Sequence, residues 1–153
     1  MQTRKFYITR HRLLLTLPLF IVAIILAACA PVEQDATPTP RVLGGGVLAT
    51  FEVRNERFNV FITNDETIQQ ILDLQAGVGT ETIPNGPVRR GPGEAQHNEP
   101  YTWHLDPEEM VLTEFSDPVC DGPPTYIEER LDDFEGQLYC PGNSRLVEVL
   151  DLR

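Results

Sequence analysis

Lysine is nearly absent from this chain of 153 residues. Lys5 is the only one, and from Cys29 onward eight arginines stand against 23 acidic residues, a formal charge of −15. Binding to a nucleic-acid backbone or to an anionic lipid surface needs clustered cations, and a phosphate-binding loop needs a lysine. The composition therefore excludes nucleic acid, anionic lipid headgroups and such a nucleotide site. An acidic domain suits cations and basic partners, although acidity also serves solubility.

Residues that could act as nucleophiles are also scarce. Serine occurs only at Ser116 and Ser144, both in turn sequences that lack the glycines of a nucleophile elbow. The segment Gly91-Pro92-Gly93 lacks the third glycine and the following helix of a dinucleotide-binding turn. The sequence accordingly predicts neither serine-hydrolase chemistry nor dinucleotide binding.

The amino terminus has the layout of a secretory signal. Basic residues within the first twelve positions precede an uncharged run over residues 13–27, which is too short for a comfortable membrane span. The segment Ala27-Ala28-Cys29 resembles a bacterial lipobox, the motif at which the signal is cleaved and the new terminal cysteine is acylated. We predict a lipoprotein signal peptide over residues 1–28 and lipidation of Cys29. The alternatives are an ordinary signal peptide and an uncleaved anchor.

This signal predicts a lipid-anchored protein at a bacterial cell membrane, facing away from the cytoplasm. The site is the outer face of the plasma membrane, or the periplasm and outer membrane if the host has two membranes. Residues 29–47 hold the lipidated cysteine, Thr-Pro repeats and a triple glycine, which predict a linker. Residues 48–153 are long enough for one globular domain and too short for two.

The globular part combines strand and helix patterns. One helix is predicted from a capping box at Thr63–Glu66 to Gly77, and a second from a capping box at Thr125 and Glu128 to Gly136. Strands are predicted at residues 48–53 and 57–62, which form a hairpin, and at 101–105, 110–115 and 146–152, with 88–90 as a short edge. The sequence predicts an α+β domain whose largely antiparallel sheet, of about four to six strands, carries two helices on one face.

Two cysteines remain after Cys29 is acylated. Cys120 and Cys140 flank the second predicted helix, and the exported setting is oxidising, so we predict a disulfide. It would close a loop of about twenty residues and contribute about 3 kcal/mol on the chain-entropy model. A zinc site would need more Cys or His at close spacing, and a catalytic thiol would need to be unpaired.

The densest region for chemistry is the long Gly- and Pro-rich loop predicted within residues 84–106. Alternation along a strand places His104 and Asp106 on one face, and His97 could join them from the loop as a metal ligand or proton-transfer group. Glu99 or Asp121 could complete such a site. The alternative is a structural histidine that hydrogen-bonds at a strand end. Trp103 is predicted to be a core or interface aromatic.

Several segments together resemble a known family. They are Phe51 and Phe58, the Ile68–Leu74 helix, Ile83–Gly86, Tyr101–Pro107, Cys120–Gly122 and Tyr139–Pro141. The chain resembles small exported bacterial proteins that share the amino-terminal domain of a slime-mould calmodulin-binding protein. The resemblance implies a shared domain, assigns it no reaction, and agrees with the pairing of the two cysteines. Calmodulin targets are typically basic amphipathic helices, whereas both predicted helices are acidic or neutral, which argues against calmodulin as a partner.

The function predicted from these features is binding or interaction at the cell surface. The candidate binding surface comprises His97, Trp103, His104, Asp106 and Asp121, and an acidic helix face lies near it in sequence. The expected partner is a protein, a peptide or a glycan, and no cofactor is predicted. The alternative is a metal-dependent enzyme or metal-binding protein that holds a divalent ion at His97, His104 and Asp106.

Overall fold

The computed structural model describes residues 42–153. The predicted signal peptide, Cys29 and most of the predicted linker lie outside the described residues, so those statements stay predictions. Within the described range, no helix is both long enough and apolar enough to span a bilayer.

The first sheet contains three antiparallel strands in the order β2-β1-β7. The strands are β1 (Val47–Val53), β2 (Glu56–Ile62) and β7 (Arg145–Asp151). The predicted hairpin between the first two is confirmed, and its two-residue turn places Arg54 and Asn55 at φ of 51° and 69°. Positive φ at both positions is the geometry that matches the twist of a tight hairpin. Alternate residues of β1, from Val47 to Val53, are fully buried.

The second sheet has four strands built around β3. The strands are β3 (Ile83–Arg90), β4 (Trp103–Leu105), β5 (Val111–Thr113) and β6 (Leu138–Tyr139), and the last three all pair antiparallel with β3. The prediction of only a short edge at residues 88–90 is wrong, and β6 was not predicted. Proline lacks a donor but still accepts, and the Pro87 carbonyl takes a 3.0 Å hydrogen bond from the Asp106 N–H. Gly86 fits because a Cβ there would lie 3.1 Å from the Met110 Cα.

The α+β class is confirmed, but the expectation of a single sheet is wrong. The strands divide into two hydrogen-bonded sheets because side chains, rather than backbone pairs, join them. Phe58 of the first sheet packs on Trp103 and Tyr139 of the second, with ring centroids 5.9 and 5.6 Å away. This aromatic cluster lies in the centre of the core.

The first helix, α1 (Asp65–Gln75), packs against β5 and β7. Its amino-terminal cap is Asn64, whose side chain accepts hydrogen bonds from the N–H groups of Glu66 and Thr67, so the predicted capping box at Thr63 is wrong. The hydroxyl of Thr63 donates instead to the Pro107 carbonyl.

The second predicted helix is two short helices, α2 (Pro124–Glu129) and α3 (Leu131–Phe134). Arg130 interrupts them with a φ of −129°. The capping box predicted here is wrong because both of its side chains have other partners: Thr125 donates to Glu56, and Glu128 accepts from Thr102. Since α2 packs on β2, the helices do not share one face of one sheet.

The side chain of Asn98 links the two sheets. It is fully buried, its Oδ1 accepts a 2.8 Å hydrogen bond from the Asn59 N–H of β2, and its Nδ2 donates a 2.8 Å bond to the Trp103 carbonyl of β4. Asn59 returns a 2.7 Å hydrogen bond from Nδ2 to the His97 carbonyl. The loop between β3 and β4 therefore satisfies a backbone donor on the outer edge of β2.

We expect Asn98→Ala to lower the free energy of unfolding by about 2–4 kcal/mol, because it leaves a buried N–H and a buried C=O without partners. Urea denaturation with the disulfide intact measures this loss. Asn85→Ala is the matched control, since the Asn85 Oδ1 has no hydrogen-bond partner within residues 42–153. Equal losses for the two variants would show that Asn98 does not link the sheets in this way.

Candidate functional site

His97 is buried in the loop between β3 and β4. It is 7% exposed, and its Nδ1 lies 3.0 Å from the Glu94 carbonyl oxygen. Its ring packs on Phe61 and, edge to face, on His104, with centroids 6.0 and 5.7 Å away. Gly93 is required beside it, because φ there is 81° and a Cβ would lie 2.0 Å from the ring. His97 is therefore a packed side chain of the loop and not part of an open surface.

His104 lies on β4 and makes the same kind of contact. Its Nδ1 is 2.8 Å from the Gly91 carbonyl oxygen. A carbonyl can only accept, so Nδ1 of each histidine carries the proton and donates it to the backbone. The two imidazoles predicted to converge do meet, but each one braces the loop.

Asp106 does not face the imidazoles. Its Oδ2 accepts a 2.9 Å hydrogen bond from Arg89, and its Oδ1 accepts from the N–H groups of Glu108 and Glu109. Burial alone would raise the pKa of Asp106, but the Arg89 and backbone hydrogen bonds outweigh it and hold the pKa below its usual range. Strand β4 ends at Leu105, so the predicted alternation does not reach this residue. Within the described range, no three His, Cys, Asp or Glu side chains are placed to hold a metal ion.

The other two predicted surface residues are also occupied. Trp103 is completely buried and packs edge-on against Tyr139, so the prediction that it lines a binding surface is wrong. Its large apolar area is better removed from water inside the core. Asp121 accepts hydrogen bonds from Arg54, at 3.1 Å, and from the Gly142 N–H, at 2.8 Å. The five predicted residues therefore do not form one surface.

A groove that the sequence did not reveal lies beside the cysteine pair, and we call it the disulfide groove. Its volume is about 560 Å³. Phe115, Val119 and Leu138 line it and are 82%, 85% and 51% exposed. The other lining residues are Asn85, Asp117, Cys120, Tyr126, Arg130, Asp133, Phe134, Gln137 and Cys140.

The cysteines fix one wall of this groove. Cys120 and Cys140 lie at disulfide-bonding distance, with Cα atoms 5.1 Å apart, and the Cys140 N–H donates to the Cys120 carbonyl at 2.9 Å. The Ser116 hydroxyl donates to the Cys140 carbonyl at 2.6 Å. The segment that carries Phe115 and Val119 is thereby held next to β6.

A cation lies along the opposite wall. The Arg130 guanidinium lies 4.9 Å from the centroid of the Tyr126 ring, and both its Nε and its Nη2 donate to Asp133, at 3.1 and 3.0 Å. Stacking and ion pairing together hold this side chain in place. In the sequence, the one indication of the groove was the presence of Phe115 and Val119 in a polar turn between predicted elements.

These observations define an exposed apolar groove on an α+β domain of two antiparallel sheets. A family described as the N-terminal domain of a calmodulin-binding protein matches residues 47–153, and the chain belongs to this family. The resemblance stated from the sequence is thus confirmed. No curated protein and no solved structure matches the chain.

We expect acidification to destabilise the domain through His97. Burial lowers the pKa of His97 below 6.5, its usual value, and the nearby His104 adds to this effect, while Glu94 opposes it. The unfolded chain then binds the proton more readily than the folded chain, so stability falls as pH drops below about 6.5, by at most about 1.4 kcal/mol per pH unit.

Denaturation of the wild type and of His97→Phe between about pH 7.5 and 5 tests this expectation. The variant keeps a ring of similar size but loses the hydrogen bond to Glu94, so its stability should be lower at neutral pH and its pH profile flatter. Parallel profiles would show that His97 does not titrate as a buried neutral imidazole.

Proposed function

We propose that this protein is a lipid-anchored binding module that acts outside the cytoplasm and docks a partner in the disulfide groove. The anchor is the acylated Cys29, and the linker over residues 29–47 separates it from the domain. A cysteine pair at bonding distance suits an oxidising compartment, which supports export.

The clustering of exposed apolar side chains carries the proposal. Seven large apolar side chains are exposed within residues 42–153, and three of them line this one groove. Contiguous apolar surface that stays in contact with water typically marks a site of interaction. A groove of about 560 Å³ is within the range of binding clefts.

The contacts of the histidines favour binding over the metal-dependent alternative. His97 and His104 direct Nδ1 to backbone carbonyls, and Arg89 holds Asp106 away from them. These side chains stabilise the loop that joins the sheets, so the proposed activity does not depend on them.

We expect the wild-type chain to incorporate labelled palmitate and to lose 28 residues, and Cys29→Ser to do neither. The chemical reason is that the acylated thiol is the predicted point of attachment. Metabolic labelling and intact mass measure both events. The double variant Cys120→Ser, Cys140→Ser is the control and should retain the label. Labelled Cys29→Ser protein would overturn the predicted anchor.

We expect a photoreactive side chain in the groove to capture a partner on living cells. Val119 or Leu138 is replaced by p-benzoylphenylalanine, and Val78, which is 73% exposed and outside the groove, is the matched control position. The groove positions should give a crosslinked product of defined mass that the control position does not give.

Phe115→Ser should reduce the yield of that product by about tenfold, because it removes most of one exposed aromatic contact. Gel electrophoresis and mass spectrometry measure the yield. The proposal fails if the groove positions and Val78 give the same products, or if the groove positions give none.

A further inference from the structure

The charges near the disulfide groove are strongly one-sided. The two segments that form its walls, residues 114–121 and 126–135, contain eight acidic side chains and a single basic one, Arg130. Long-range attraction and repulsion follow this imbalance. A partner that approaches the groove therefore meets a negative potential.

Part of this negative charge is neutralised inside the domain. Arg130 pairs with Asp133, and Arg54 pairs with Asp121. Arg90 pairs with both Asp132 and Glu135. These four carboxylates already have a cation, and they do not need one from a partner.

The carboxylates next to Phe115 and Val119 are different. Glu114 and Asp117 have no ion-pair partner among residues 42–153, and neither has Glu129 on the other wall. Asp117 lines the groove itself. Unneutralised carboxylates beside exposed apolar side chains favour a partner that brings positive charge together with apolar surface.

A hydrogen-bond acceptor in the groove also lacks a donor. Asn85 lines the groove from β3, and its Oδ1 is buried with no partner in the described part of the chain. Buried amide oxygens are normally paired, so a donor from outside would lower the free energy of the complex. Backbone N–H groups and lysine or arginine side chains are such donors.

We propose that the partner is a basic polypeptide segment that inserts an apolar anchor side chain into the disulfide groove. This inference rests on the proposed function and deepens it. The anchor side chain packs among Phe115, Val119 and Leu138. Flanking lysines or arginines lie beside Glu114 and Asp117, and an N–H group donates to the Asn85 Oδ1.

Three nonapeptide probes separate the components of this recognition. The first has a Leu-Trp-Leu centre flanked by lysines, the second replaces the lysines by glutamates, and the third replaces the centre by serines. Tryptophan or end-label fluorescence anisotropy is measured with the full lipidated chain in neutral phosphatidylcholine nanodiscs. We expect the first probe to bind about tenfold more tightly than either of the others, and its affinity to fall with added salt.

Variants assign the binding to this groove. The double variant Phe115→Ser, Val119→Ser should weaken binding of the first probe by about tenfold, and Val78→Ser should leave it unchanged. Asn85→Leu should weaken binding severalfold without lowering the melting temperature, because it removes a buried acceptor that has no partner within the described residues. A merely structural role of Asn85 would change stability and binding together.

The contrary outcomes are distinct. Equal binding of the glutamate probe overturns the preference for positive charge, and equal binding of the serine probe overturns the apolar anchor. Binding that survives Phe115→Ser, Val119→Ser overturns the site. If no probe binds, or if empty phosphatidylcholine vesicles compete for the groove, the partner is not a basic peptide. The proposed function then still holds wherever photocrosslinking at Val119 succeeds, and it falls only if that fails too.

Discussion

The buried amide of Asn98 is the contact on which the arrangement of this domain depends. One side chain hydrogen-bonds to the Asn59 N–H of the first sheet and to the Trp103 carbonyl of the second. Delivering it to that position requires a loop that Gly93 admits and that His97 and His104 brace through backbone carbonyls. The histidines are therefore part of this loop's internal support, which explains why they lie close together and yet are not open to a substrate.

The opposite character prevails beside the cysteine pair. There, the constraint on Cys120 and Cys140 orders a segment whose apolar side chains point to solvent. A domain of this size has enough core to fold without exposing Phe115 and Val119, and their exposure brings no internal packing. The region that looked richest in chemistry is thus structural, and the region that looked like connecting turns carries the surface suited to binding.

Local patterns in the sequence predicted what depends on local physics. The β1–β2 hairpin and α1 have strong alternation or helical spacing and clear turn residues, and both are confirmed. Strand β3 was missed because its two prolines and a glycine resemble a loop, and their fit depends on which backbone groups face a partner strand. The division into two sheets depends on Phe58 meeting Trp103 and Tyr139 across the core, which no local pattern encodes. Asp106 illustrates the same limit, since Arg89 and the end of β4 decide its orientation.

Occupancy of the disulfide groove on living cells is the central claim, and hydroxyl-radical footprinting measures it most directly. The oxidation rates of Phe115 and Leu138 are compared between intact cells and the purified lipidated protein in neutral nanodiscs. The account predicts that both side chains are protected on cells, whereas Val42 and Val78, which are exposed outside the groove, react equally in the two samples. Equal oxidation of Phe115 and Leu138 in both samples would contradict it.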